Sequence, residues 1–157
     1  MSCSIRKATA DDAAAVAAMV KALTDEIIER TQAPHFNIDL ARTTARCRDF
    51  LESGNYAVYL VENEAGRGVG FVTLCESHAL YAEGAFGIAQ EFYVAPDFRS
   101  AGLGRQLLDA AVAHARRLGW KRLELCTPPL PEFDRALGFY EKNGFEITGG
   151  RKMKRLV

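Results

Sequence analysis

Apolar residues recur along this chain with two periods, and the changes from one period to the other mark out its elements. Ser4 to Ala8 predicts a short first strand. Thr9-Ala10-Asp11-Asp12 then has the arrangement of a capping box, and Val16, Met19, Val20, Leu23 and Ile27 lie on one face of a helix running to about Arg30. The stretch from Thr31 to Asn37, with Pro34, breaks that helix. A second one, about Asp39 to Ser53, turns Leu40, Cys47, Phe50 and Leu51 inward and closes at Gly54-Asn55. Tyr56 to Glu62 and Val69 to Glu76 read as strands of a hairpin across a polar turn, and part of Ser77 to Gly87 extends strands around a loop. Ile88 to Val94 is the next strand. Leu103, Leu107, Leu108, Ala111, Ala115 and Leu118 then place a helix, opening near Arg99, that Gly119 stops.

In the last part of the chain, Leu123 and Leu125 alternate with Arg122 and Glu124 in a strand from Lys121 to Cys126. Thr127-Pro128-Pro129-Leu130-Pro131 is a rigid connector to a short helix, about Glu132 to Lys142, which ends at Asn143-Gly144. Phe145 to Thr148 and Lys152 to Leu156 are expected to form a final hairpin across Gly149-Gly150. The long crossover from Val94 to Lys121 implies a parallel pair, Phe92–Val94 beside Leu123–Cys126, in an otherwise antiparallel sheet. The fold class is therefore mixed α/β: a mostly antiparallel central sheet with one parallel strand pair, flanked by helices. Residues 1–157 are expected to form a single domain.

Composition narrows the function. Hydrophobic content of 48% and charged content of 25% are those of a soluble globular protein. Twenty basic residues balance twenty acidic ones, so no global field recruits nucleic acid or an anionic membrane. No apolar run approaches the roughly 20 residues that span a bilayer, and the start of the chain has no basic and apolar leader, so a cytoplasmic address is expected. Cys3, Cys47, Cys75 and Cys126 include no Cys-x-x-Cys pair, and His35, His78 and His114 are scattered. They read as reduced, mostly packed thiols with no metal site.

The chemistry concentrates where the strand Glu91-Phe92-Tyr93-Val94 runs through Ala95-Pro96-Asp97 into Arg99-Ser100-Ala101-Gly102-Leu103-Gly104-Arg105. A helix start carries unpaired N–H groups and about half a positive charge, which suits a phosphate. Gly102 and Gly104 lack Cβ atoms and let a diphosphate approach the main chain, while Arg99 and Arg105 add charge beside it. A dinucleotide fingerprint would need a glycine at Leu107, and a P-loop would need Gly-Lys-Ser/Thr at Gly104-Arg105-Gln106. Neither fits. The pattern Val94-x-Pro96-x-x-Arg99-x-x-Gly102-x-Gly104 resembles the acyl-CoA-binding signature of the GNAT superfamily of N-acetyltransferases.

That resemblance implies acetyl-CoA as cosubstrate, with no metal. Phe92, Tyr93, Val94, Arg99, Ser100, Ala101, Gly102, Leu103, Gly104 and Arg105 would form the cofactor-binding stretch. It also implies that the parallel strands splay apart, leaving a gap in which a pantetheine arm pairs with exposed backbone. A second segment, Arg135-Ala136-Leu137-Gly138-Phe139-Tyr140-Glu141-Lys142-Asn143-Gly144-Phe145, is similar to the family's alanine, Phe-Tyr, Glu-Lys-x-Gly-Phe stretch. It departs in having Phe133 where the family often has asparagine. By this resemblance Tyr140 hydrogen-bonds or protonates the departing sulfur. Reference pKa values of about 10 and 8.5 make full transfer uphill by roughly 2 kcal/mol, so both roles stay open.

An alkylammonium with a pKa of about 10.4 must lose its proton to attack, a cost of roughly 4 kcal/mol at neutral pH. Glu91, where many relatives carry a carboxylate, is the candidate base, directly or through water. The amide of Val94 can polarise the thioester carbonyl. Cys126 need not form an acyl-enzyme and reads as a packing thiol. Asp25, Glu26 and Glu29 read as the wet face of a helix and Arg151, Lys152, Lys154 and Arg155 as a charged edge; His35-Phe36 falls in the loop where the resemblance places an acceptor pocket and His78 near its other rim, but neither is read first as a substrate contact. The expected reaction is direct transfer of an acetyl group from acetyl-CoA to a primary amine, on a small molecule or a peptide. A homodimer is an option that the resemblance leaves open. The alternatives are a non-catalytic acyl-CoA sensor or partner-binding module on the same scaffold, and an adenine-nucleotide-binding enzyme.

Overall fold

The computed structural model describes residues 2–34 and 36–157. The chain divides into two compact units, residues 1–126 and 127–157. The first is built on a five-stranded sheet in sequence order: β1 (Cys3–Lys7), β2 (Ala57–Asn63), β3 (Gly68–Ala79), β4 (Gly84–Val94) and β5 (Leu123–Leu125). Only β4 and β5 run parallel. The strands carry α1 (Ala13–Thr31) and α2 (Leu40–Ser53) on one face and α3 (Leu103–Arg117) on the other.

Side-chain alternation explains why the middle strands read as nearly continuous apolar runs. In β2, Val58 and Leu60 join Val16, Met19, Cys47, Phe71 and Tyr93 under α1 and α2, while Tyr59 and Val61 join Val72, Leu74, Leu107 and Ala111 under α3. Both faces are buried, so neither residue set can be polar. The helix limits follow local chemistry: Thr9 N–H donates to the Asp12 carboxylate, Asp39 accepts from Arg42 N–H at 2.8 Å, and Gly54 takes the left-handed conformation that ends α2.

The expected elements are present up to residue 126, with three differences that matter. The helix does not open at Arg99. Pro96–Phe98 forms a single 3₁₀ turn, Arg99 to Gly102 is an irregular loop, and α3 starts at Leu103. The parallel pairing is also shifted: Leu123–Leu125 pairs with Gly87–Ala89, not with Phe92–Val94. The cause is Trp120, which donates to the Glu76 carboxylate at 2.8 Å and lies over Gly87, drawing the start of β5 back along β4. Finally, Cys126 is exposed rather than packed; Cys47 is buried, Cys3 and Cys75 are partly so, and all four are free thiols.

The second unit holds α4 (Asp134–Lys142). Residues 145–157 contain no strand, so the final hairpin does not form. Gly149 and Gly150 both adopt positive φ, and Ile147, Met153 and Leu156 are 72%, 90% and 86% exposed, which leaves no apolar face for a two-stranded ribbon to bury.

Gly87 tests the packing that sets the β4–β5 register. A Cβ there would lie 2.2 Å from the Trp120 ring. Gly87→Ala is expected to cost about 3 kcal/mol, the upper end for overpacking, measured as a lower urea midpoint with an unchanged slope.

Candidate active site

Beyond Ala89, β4 continues for five more residues that β5 does not accompany. Val72 pairs with Phe92 and Leu74 with Ala89, so Thr73 alone faces both Gln90 and Glu91: a β-bulge on β4. A bulge bends its strand and increases its twist, which explains why β4 diverges from β5 at this point. Residues 92–94 resume the pairing to β3 beyond the bulge, while β5 pairs with none of residues 90–94 on the other side.

The bulge also creates the environment of Glu91. Its N–H leaves the strand ladder and donates to Thr73 Oγ1 at 2.9 Å, while the same hydroxyl donates to Glu91 Oε2. Tyr56 donates to Oε1 at 3.3 Å. Each carboxylate oxygen thus has one hydroxyl donor. Burial pushes the Glu91 carboxyl above its usual range, and the bonds from Thr73 and Tyr56 hold it back down. Its charge is felt around it: burial first and then Glu91 push up both the Tyr56 hydroxyl and the Cys47 thiol. Glu91 is thus neither a solvated strand residue nor half of an ion pair.

At the far end of β4 the chain turns through Ser100 (φ +66°) and Gly102 (φ +81°) into α3. Gly102, at the N-cap, has no side chain with which to cap the helix, so any acceptor for the first-turn N–H groups comes from elsewhere. An added Cβ at Gly102 would meet nothing within 4 Å, so what requires glycine there in this structure is its left-handed backbone. Leu103 is buried beside Leu107 and fixes the loop to the core, and Arg105 is exposed on the first turn.

The candidate cofactor residues separate into two kinds. Tyr93, Val94 and Leu103 bury their side chains, which leaves only their main chain available to a ligand; Ser100, Ala101, Gly102 and Arg105 are exposed. Phe92 is partly buried against the α3-side core, and Gly104 sits within the first turn of α3. Arg99 does not extend toward the helix start: its Nε donates to the Val94 carbonyl at 2.7 Å and its Nη2 to Glu26 Oε1 at 2.7 Å. Glu26 is accordingly more than the wet face of its helix. Of the proposed rim residues, His35 lies outside the described residues, Phe36 is half exposed, and His78 stands 3.1 Å from Glu76.

Tyr140 belongs to the second unit. It is buried there, its ring 5.4 Å from Phe139 and 5.8 Å from Phe145, and burial pushes its hydroxyl up to about 12. Among the described residues no group of three or more His, Cys, Asp or Glu could hold a metal ion, and no helix is long and apolar enough to cross a membrane.

Sequence reasoning missed Thr73, Tyr56 and the Glu26–Arg99 contact. Thr73 left one trace, as the lone hydroxyl in the buried run Val69 to Leu74. The others meet only through pairing between segments remote in sequence.

A strand edge that β5 does not pair, leading into a helix whose N-cap is a glycine, is the kind of arrangement that suits an extended ligand with amides at one end and phosphates at the other. Comparison with known proteins identifies the class. Residues 54–147 match the acetyltransferase (GNAT) domain family. Over 146 residues the chain is 30% identical to the uncharacterized N-acetyltransferase YhfO of Bacillus subtilis (strain 168), covering 93% of this chain and 91% of that one. It is also 30% identical over 92 residues to the peptidyl-lysine N-acetyltransferase YjaB of Escherichia coli (strain K12), spanning 59% of this chain and 51% of YjaB. The fold matches the aminoglycoside N-acetyltransferase AAC(6′)-Iy in complex with CoA at a TM-score of 0.78 and 19% identity, covering 99% and 95% of the two chains. The chain belongs to the GNAT acetyltransferase family, and its reaction class is acetyl transfer. A non-catalytic reading of the scaffold is not favoured.

Glu91 yields a stability prediction. A carboxyl raised in the folded state binds protons there that the unfolded chain has already released, so its contribution is fully present below the unfolded value and is lost as pH rises through the folded one. At neutral pH the group costs stability. Glu91→Gln is therefore expected to raise Tm at pH 7.5, at about 2–4 °C per kcal/mol for a chain of this size, with the gain shrinking toward pH 4. Thermal scans across pH measure it.

Proposed function

We propose that this protein transfers the acetyl group of acetyl-CoA to a primary amine on a small molecule or peptide, with both units serving one acetyltransferase domain. What carries the reading is the open edge of β4 beyond Ala89, running into the Gly102 turn, in a chain of this family. The names of the relatives, which specify lysine and aminoglycoside amines, support an amine as acceptor.

The residues fit the donor. Main-chain groups of residues 92–94 pair with its amide-bearing arm, and N–H groups at Gly102 to Arg105 receive its diphosphate. Acetyl-CoA supplies the activated thioester. Val94 N–H polarises the thioester carbonyl, a preorganised dipole that requires no side chain. Glu91 takes the proton of the attacking amine, directly or through one water; its raised affinity for protons brings it closer to the amine in basicity than an ordinary carboxylate would be.

Tyr140 is placed in the role of hydrogen-bond donor to the leaving sulfur. A hydroxyl at about 12 facing a thiol at about 8.5 would lose roughly 5 kcal/mol in full proton transfer. It therefore stabilises the thiolate and keeps its proton.

Thermal shift followed by an amine screen tests this function. Saturating acetyl-CoA, at about 100 times its Kd, should stabilise the protein by about 2.7 kcal/mol where ATP does not, and a primary amine should then release free thiol. Protection by ATP alone, or no thiol release across a broad amine panel, overturns the proposal. Glu91→Gln is expected to lower kcat/KM by about 10²- to 10³-fold and to remove the acidic limb of its pH profile. Tyr140→Phe should reduce kcat while leaving the Kd of acetyl-CoA unchanged, read by single-turnover kinetics and calorimetry.

A further inference from the structure

Along Arg122-Leu123-Glu124-Leu125 charged and apolar residues alternate, and the sheet sorts them by face. Leu123 and Leu125 pack against the core under α3, so Arg122 and Glu124 point to the other face, the side of α1 and α2. Thr73 belongs to that face as well, because its neighbours Val72 and Leu74 are turned to α3, and Glu91 is bonded to Thr73. Glu124 pairs with Ile88, one position before β5 loses β4. Strand spacing and rise put its Cα about 10 Å from that of Glu91. An amine arriving at Glu91 therefore meets a face that holds a second carboxylate.

That carboxylate is engaged on one side only. Its Oε2 is buried 2.8 Å from Arg122 Nε, but the contact lacks the alignment of a hydrogen bond, and among the described residues no hydrogen bond reaches that oxygen. The Glu124 side chain still keeps 31% of its surface, so what access the carboxylate has is through Oε1. Arg122 is braced in turn against Tyr81, its Cζ 5.6 Å from the ring centre. The guanidinium thus offsets the charge of Glu124 and leaves one oxygen able to accept. Around it on this face, β3 and β4 offer Cys75, Ile88 and Gln90, none of them charged.

We propose that Glu124 binds the acceptor and that Arg122 is its positioning residue: Glu124 Oε1 takes an uncharged O–H or N–H of the acceptor, beside the amine that reacts at Glu91. This rests on the reading that an amine is acetylated at Glu91, and it names the substrate class. The acceptor is a primary amine that also carries a hydroxyl or an amide N–H, and not a polyamine. A second ammonium at Oε1 would be repelled by the guanidinium that holds Oε2. A neutral donor gains the charge-assisted hydrogen bond without that repulsion.

Thiol release from acetyl-CoA is measured with three amine series of graded, matched length, ω-amino alcohols, n-alkylamines and α,ω-diamines, on wild type, Glu124→Ala, Glu124→Gln and Arg122→Ala. The readout is the ratio of kcat/KM between series within one variant, which cancels a general loss of folding or of Glu91 function. Wild type is expected to favour the amino alcohol of best length over the alkylamine by about tenfold, and both over the diamine. Glu124→Ala should abolish the first preference, and Glu124→Gln, which retains an acceptor oxygen, should keep part of it. Arg122→Ala should raise the diamine relative to the amino alcohol. A wild type that favours the diamine, or the same ratios in wild type and Glu124→Ala, overturns the proposal; so does an unchanged ratio of diamine to amino alcohol in Arg122→Ala. An equal fall across all three series in Glu124→Ala, with the acidic limb of the pH profile gone, would make Glu124 the base and also overturn it. No thiol release by wild type in any series defeats the proposed function itself, and the acceptor site with it.

Discussion

A β-strand in a sheet must pair its main chain on both sides, leave it to water or give it to something else, and in this protein one extra residue decides which. The bulge opposite Thr73 interrupts the pairing of β4 to β3 at Gln90 and Glu91 and lets it resume at Phe92, while β5 pairs no further than Ala89. The shift in phase also moves Glu91 out of the ladder and onto Thr73, so one irregularity both opens the edge and places the carboxylate beside it. Gly87 and Trp120 hold the other end: the ring over Gly87 fixes where β5 begins to pair, and thus how much of β4 is left over.

An open edge is a liability unless its polar groups are managed. Here the turn after β4 contributes to that management. Arg99 reaches back five residues to the Val94 carbonyl, while Leu103 anchors the far side of the turn in the core under α3. Between these anchors Ser100 and Gly102 take positive φ, a conformation that costs little at glycine but is uncommon for serine. The loop is therefore shaped from both ends rather than loosely tethered, as a main-chain anion site requires. The ion pair to Glu26 extends this control to α1, on the opposite face of the sheet from α3.

Much of this was legible in the sequence, and the reasons for the rest are physical. The periodicities located all five strands of the first unit and its three helices because each buries a regular stripe, and the Gly102 turn was legible because few residues tolerate that backbone. Register was not. That these two strands are the parallel neighbours was readable, but which residues of β4 meet Leu123–Leu125 was not, because pairing depends on how Trp120 packs, and an indole over a glycine leaves no periodic signal. The C-terminal hairpin failed because alternation in Lys152 to Leu156 specifies a strand only where there is a face to bury, and those apolar residues are exposed. Arg99 had the right type and spacing for a phosphate contact, yet the nearest strong acceptors are a carbonyl and a carboxylate from its own unit. Charge type is local information; the partner is tertiary.

The same logic bears on how the proposed reaction manages its protons. Acetyl transfer from a thioester to an alkylammonium removes two protons from nitrogen, one before attack and one as the amide forms, and adds one to sulfur, so one proton is released overall. Glu91, with burial favouring its neutral form, suits the first half: it gains a proton more readily than an exposed carboxylate. Tyr140 suits the second half poorly as an acid, since burial favours its neutral form too and raises it to about 12. Desolvation therefore pushes both groups in one direction, toward holding a proton, which strengthens a base and weakens an acid. A hydroxyl that keeps its proton can still lower the energy of a thiolate by a charge-assisted hydrogen bond. Under the proposed assignment the sulfur would receive its proton from solvent or from the proton that Glu91 takes up, and a phenol in the role proposed for Tyr140 would stabilise the thiolate until that proton arrives.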